Sequence, residues 1–133
     1  MKLSASVRNS STLHEVAVST GNAVQYLAVP ARLSGQGSNV SGGEFLMLAL
    51  ATCYCNDLYR EAARLGMTIE SVDVEASADF PGIGLAAANI AYRAKVSSPA
   101  TDAQIAELLR ITDAVAEVHN TVRSGAPVKL ERS

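Results

Sequence analysis

The run from Ser41 to Gly66, SGGEFLMLALATCYCNDLYREAARLG, constrains this chain more than any other. Ser41 and Glu44 have the spacing of a capping box, in which hydroxyl and carboxylate each satisfy a backbone N–H of the opening turn. Glu44 also complements the positive end of the helix dipole. Gly66 follows Arg64 and Leu65 as a stop, since glycine takes the left-handed conformation at little cost. Between these ends, Phe45-Leu46-Met47-Leu48-Ala49-Leu50-Ala51 leads into Thr52-Cys53-Tyr54-Cys55. That half of the helix is apolar on every face, which packing on one side alone does not require. The apolar run falls short of the roughly 20 residues of a membrane span. The sequence therefore predicts a buried central helix that carries both cysteines.

A chain of 133 residues reads as a single domain, residues 1–133, long enough to hold a core. Eleven Lys and Arg against 13 Asp and Glu, a formal charge of −2, exclude the basic footprint of a nucleic-acid binder. Aromatic residues make up only 5%, too few for a base-stacking surface. The start, Met1-Lys2-Leu3-Ser4, lacks an apolar signal core. The expectation is a soluble, cytoplasmic protein with neither nucleic acid nor membrane as partner.

The remaining segments supply strands and one more helix. Residues 2–8 and 13–18 alternate apolar and polar, residues 23–29 make a third strand stopped by Pro30, and with the turns at Asn9-Ser10-Ser11 and Gly21-Asn22 they predict an antiparallel meander. The glycine-bearing loop from Ala31 to Val40 has neither the lysine nor the preceding strand of a phosphate cradle and reads as a connector. Beyond the helix, residues 67–76 and 88–96 alternate around Phe80-Pro81-Gly82-Ile83-Gly84 and predict a β-hairpin. Ser98 to Asp102 opens a second helix, with Ile105, Leu108, Leu109, Ile111 and Val115 at helical spacing. It runs to about Val118–Val122, before Gly125 and Pro127. Val128-Lys129-Leu130 predicts a short closing strand. The class is α+β. A chain this short has little material to surround an all-apolar helix, so an intertwined homodimer is expected, with two such helices packed together.

Few residues can carry chemistry. Cys53 and Cys55 project about 200° apart around one helix and cannot bridge each other. Both read first as small core hydrophobes. Cys53 differs in its surroundings, with Leu46, Ala49 and Leu50 on one side and Asn56, Asp57 and Arg60 on the other. A thiol there lines the floor of a pocket. A mid-helix position gets no help from its own helix N-terminus, so activation needs a cation, and Arg60, Arg8 and Arg32 are the candidates. His119, ending a helix, suits the dipole and is a candidate base for Cys53, whereas His14 reads as a surface residue. Glu44, Asp57 and Glu61 read as cap and solvated helix face. No ligand spacing proposes a metal site, and no serine sits in a nucleophile elbow.

The run from Gly42 to Cys53 resembles the central-helix signature of the OsmC/Ohr family, whose members reduce organic hydroperoxides with a cysteine pair. The order of elements is similar along nearly the whole chain, and Ala116-Glu117-Val118-His119-Asn120-Thr121-Val122 resembles the family's second motif, Cys-Pro-Val-His/Ser-Asn/Arg-Thr-Leu. The resemblance implies an OsmC-like fold of antiparallel sheets wrapped around the long helix, an intertwined homodimer with sites at the subunit interface, and no metal or organic cofactor. It makes Cys53 the peroxide-attacking thiol, oxidised to a sulfenic acid that a second thiol resolves. This chain departs from the pattern there. Ala116 stands in place of the resolving cysteine and Glu117 in place of the proline. Gly43 occupies the position of the helix-start glutamate, with Glu44 one residue closer to the thiol. The family's activating arginine comes from the N-terminal strands, where Arg8 is the nearer counterpart and Arg32 the alternative.

Three functions follow from this reading. The first is a thiol-dependent hydroperoxide reductase for oxidative-stress defence, using Cys53 with an external thiol reductant. The second is a peroxidase-inactive relative that binds or modifies a small apolar molecule in the interfacial pocket, with Cys53 and His119 as nucleophile and base. The third is a non-enzymatic dimeric binding protein in which Cys53 is merely packed.

Overall fold

Alternation at the N-terminus and helical periodicity after it produce the expected order of elements, with differences confined to the C-terminal third. The computed structural model describes residues 1–132. Strands β1 (Leu3–Asn9), β2 (His14–Thr20) and β3 (Ala23–Leu27) precede helix α1 (Gly42–Arg64). Strands β4 (Ser71–Asp79) and β5 (Ala88–Ser97) and helices α2 (Asp102–Val115) and α3 (Glu117–Ser124) follow it. The chain forms two compact units, one of Met1–Phe45 and one from Leu46 onward.

In the first unit, β1, β2 and β3 form an antiparallel sheet in sequence order, as the meander predicts. The register sets Leu3, Ala5 and Val7 opposite Thr20, Val18 and Val16, and Val16 opposite Leu27, so one face is mostly apolar. The connector after β3 folds back on itself. Arg32 N–H donates to Gly37 O at 2.9 Å, and Asn39 N–H to Pro30 O at 2.9 Å. The Asn9 side chain clamps this loop, accepting from Gly37 N–H at 3.0 Å while its amide nitrogen bonds His14 Nδ1 at 2.9 Å. His14 is thus half-buried and bonded, where the sequence places it on the surface. Ser41 and Glu44 close the capping box that opens α1, at 2.9 and 3.1 Å.

In the second unit, α1 ends as the sequence requires. Gly66 has φ +70°, and Met67 N–H reaches back to Ala62 O at 2.8 Å, the double turn that satisfies the last carbonyls. Strand β4 starts at Ser71 rather than Met67, and Met67 and Ile69 pack against the core from the segment before it. Strands β4 and β5 pair antiparallel, with Val72, Val74 and Ala76 opposite Val96, Ala94 and Tyr92. The core consists of Tyr54, Leu58 and Ala62 of α1 with Leu108 and Ala116, covered by that sheet face. Leu58 and Leu108 are 0% exposed, and each stabilises the fold by about 1.5–3 kcal/mol relative to exposure.

The order of elements departs from expectation at two places. The second helix is broken in two at Ala116, which is extended with φ −73° and ψ 106°. Side chains from α3 satisfy the freed end of α2, with Asn120 Nδ2 donating to Ala114 O at 3.1 Å and Arg123 Nη1 to Asp113 O at 3.3 Å. No strand forms at residues 128–130 among the described residues. Val128 and Leu130 are 99% and 98% exposed, and without a ladder partner two apolar residues do not make a strand.

Candidate active site

Cys53 is half-buried on α1 and meets the first turn of α3. Its thiol donates to Asp57 Oδ2 at 3.5 Å and lies 3.8 Å from Glu117 Oε2 at the start of α3. Asp57 is there because a spacing of four puts it one turn above Cys53 on the same face. Glu117 is there because the chain breaks at Ala116 and restarts the helix beside α1. The cap residue of α3 is Ala116, whose methyl group can accept no hydrogen bond. The opening N–H groups of α3 are therefore left for another acceptor, and the Cys53 sulfur sits where one is needed. The sequence reading gives Cys53 no help from its own helix N-terminus; the structure supplies that help from a different helix.

The electrostatics around the sulfur oppose one another. Burial pushes the Cys53 thiol up, Asp57 and Glu117 add to this, and the Val118 N–H pulls the other way. A hydrogen bond to a charged group contributes about 1.5–3 kcal/mol. A carboxylate about 4 Å away in a partly screened site opposes a thiolate by as much as about 4 kcal/mol. The carboxylates and burial win, and the thiol is held protonated at neutral pH by its own surroundings in this unit.

The acids are not the solvated helix face that the sequence suggests. Asp57 and Glu61 are each only 5% exposed. Arg60 binds three carboxylates, through Nη1 to Asp57 Oδ1 at 3.0 Å and Glu117 Oε1 at 3.2 Å and through Nε to Glu61 Oε2 at 3.1 Å. Arg64 Nη2 holds the other oxygen of Glu61 at 2.7 Å. Burial pushes the Asp57 carboxyl up, and neighbouring Glu117 adds to it against the pull of Arg60. Glu117 is pulled down, first by its own backbone N–H and then by its hydrogen bond with Asp57. The donor atoms of Cys53, Asp57 and Glu117 lie within 4.8 Å of one another. They fall short of the four protein ligands of a structural zinc, and Arg60 already supplies the cation that the acids need.

The other residues singled out by the sequence lie elsewhere. His119 is 3% exposed and packs between Tyr92 and Tyr54, with ring centroids 4.3 and 5.8 Å away. Neither of its ring nitrogens has a hydrogen-bond partner among the described residues, so it makes no bond to Cys53. Burial, aided by Arg123, holds the imidazole below its ordinary value of 6.5, in its neutral form. Glu44 gives its carboxylate to the Ser41 N–H, which lowers its pKa. Arg8 lies opposite Glu15 in the β1–β2 ladder, and Arg32 stands in the loop before α1, where its N–H donates to Gly37 O at 2.9 Å. Cys55 is a half-buried free thiol. Sequence reasoning missed the roles of Asp57 and Glu117. The signals were the four-residue spacing from Cys53 and the acid adjacent to the missing cysteine.

A profile of the family described as OsmC-like protein matches residues 35–131. The chain belongs to the OsmC-like family. No curated protein matches it. Among solved structures, an OsmC-like protein from Mycoplasma pneumoniae superimposes with a TM-score of 0.63 at 16% identity, covering 92% of this chain and 86% of that one. An organic hydroperoxide resistance protein OsmC from Legionella pneumophila gives 0.61 at 15% identity, with 92% and 90% covered. An organic hydroperoxide resistance protein from Elizabethkingia anophelis, with crystallant-derived thiocyanate bound, gives 0.63 at 13%, with 92% and 89% covered. These likenesses establish the α+β OsmC-like fold. No helix among the described residues is long and apolar enough to cross a membrane.

Proposed function

We propose that this OsmC-like protein reduces organic hydroperoxides through Cys53, as a cytoplasmic homodimer supplied with electrons by an external thiol. The observation that carries the reading is the position of the Cys53 sulfur beside the first residue of α3, 3.8 Å from Glu117 Oε2, at a helix start that no side chain caps. Negative charge developing on sulfur is stabilised there by oriented backbone donors, as at any helix N-terminus. The hydroperoxide-resistance proteins of the same fold support the reading. Attack of sulfur on the terminal peroxide oxygen breaks the O–O bond and yields the Cys53 sulfenic acid and an alcohol. Ala116 cannot condense with it. A first external thiol then forms a mixed disulfide with loss of water, and a second releases Cys53 and leaves as the external disulfide. Arg8 takes the part of the family's activating arginine on this reading, while Glu44 serves the helix start and His119 the packing around Tyr92.

The test is consumption of cumene hydroperoxide in the presence of dithiothreitol. Cys53→Ser abolishes it and Cys55→Ser leaves most of it; consumption that survives Cys53→Ser overturns the assignment. A second reading rests on an open cavity of about 340 Å³ lined by Leu50, Ile90, Tyr92, His119, Val122 and Arg123. Its apolar wall and single guanidinium suit a small apolar ligand with one polar end. Under that reading the wild-type protein consumes no hydroperoxide and small apolar acids raise its melting temperature.

A further inference from the structure

Hydroperoxide reduction asks more of the surroundings of Cys53 than an oriented N–H. The thiol must lose a proton as sulfur attacks, and the departing alkoxide must gain one. The N–H of Val118 can stabilise charge but cannot take or give a proton. Within reach of the sulfur stand Asp57 Oδ2 at 3.5 Å and Glu117 Oε2 at 3.8 Å, from two different helices. The thiol already donates to Asp57, the geometry of a general base before the reaction. Arg60 ties the remaining oxygens of both acids together at 3.0 and 3.2 Å, and Arg60 is itself held by Glu61. The cluster facing the sulfur is thus Asp57, Arg60 and Glu61 from α1 and Glu117 from α3.

We infer that Asp57 and Glu117 act as a proton relay for Cys53, removing the S–H proton during attack and returning it to the leaving oxygen. This rests on the peroxidase reading above and adds residues that no resemblance supplies, since Glu117 replaces the proline beside the missing cysteine. In the step, the S–H proton passes to Asp57 Oδ2 and the sulfur electron pair forms the S–O bond to the terminal peroxide oxygen. The O–O bond breaks onto the inner oxygen, which takes the proton from the acid pair and leaves as the alcohol. Sulfur is oxidised by two electrons, the peroxide is reduced by two, and the acids end unchanged. Glu117 steadies the transferred proton by accepting a hydrogen bond from protonated Asp57. Arg60 is a positioning residue. The raised pKa of Asp57 and the lowered one of Glu117 favour this order of events.

A relay and a merely repressive pair of charges predict opposite outcomes. The full-length protein and its Asp57→Asn and Glu117→Gln variants are compared in two assays across pH. One is the rate of cumene hydroperoxide consumption; the other is iodoacetamide alkylation of Cys53, located by mass spectrometry. Removing a carboxylate eases thiolate formation, so alkylation near pH 7 rises several-fold in both variants. Peroxide consumption falls, by about 100-fold for Asp57→Asn, the usual scale for a general acid–base group, and less for Glu117→Gln. The acidic limb of the rate profile disappears with it. The Glu117 side chain is 66% exposed, so that variant folds whatever becomes of Asp57→Asn. Consumption that rises together with alkylation, or that stays at the wild-type rate, overturns the relay while leaving Cys53 as the peroxidatic thiol. A wild-type protein that consumes no hydroperoxide overturns both.

Discussion

An imidazole whose two nitrogens are shut away from water without partners is tolerated in a core only while it is neutral. His119 is such a group, facing Tyr54 and Tyr92 and flanked by Arg123 and Asp113. Its folded pKa lies below the ordinary 6.5, so the unfolded chain takes up the proton first as the solution is acidified. Stability is therefore complete above about pH 6.5 and falls as pH drops toward the folded pKa, with a slope approaching 1.4 kcal/mol per pH unit. His119→Phe keeps the aromatic packing and removes this acid loss. Urea midpoints at pH 7.5, 6.5 and 5.5 for both proteins provide the check, and equal slopes dismiss the account. At this scale the sequence identified Cys53 and His119 as chemistry-bearing residues but not their surroundings. Asp57 reads as a polar-face acid until the break at Ala116 brings Glu117 beside it. That break depends on bonds from Asn120 and Arg123 to backbone carbonyls, which leave no trace in hydrophobic periodicity.

The ends of α1 were the most legible features because their chemistry is local. Ser41 with Glu44 closes a capping box, and Gly66 turns the chain out of α1. A Cβ built on Gly66 meets nothing within 4 Å, so any cost of adding one is conformational. Gly66→Ala forces alanine into the left-handed region and destabilises the protein by about 1–2 kcal/mol. Urea denaturation reads this as a lower midpoint with an unchanged slope; an unchanged midpoint shows that the turn relaxes instead. The strand expected at residues 128–130 failed for the complementary reason. A strand depends on a partner that its own residues do not name, and three residues carry too little pattern to imply one.

The apolar surface of α1 is the feature that reaches beyond the single chain. Within the second unit α1 buries one stripe, Leu50, Tyr54, Asp57, Leu58, Glu61 and Ala62, while Leu48 remains 57% exposed and Tyr59 45%. In the first unit Leu3 and Val7, on the apolar face of the sheet, are likewise open to solvent. Apolar residues in that quantity are left uncovered in a water-soluble chain when a second chain covers them, and a second copy with the same surface is self-complementary about a two-fold axis. The proposed homodimer thus accounts for a helix whose sequence is apolar on every face although its own unit covers only one. Sedimentation equilibrium should return twice the 13.9 kDa chain mass. Leu48→Lys places a charge on the uncovered face of α1 and shifts the protein toward monomer. Ser77→Lys, on the solvated face of β4, leaves the mass unchanged and controls for added charge. A dimer that withstands Leu48→Lys moves the interface off this face of α1. A wild-type monomer removes this explanation for the apolar helix.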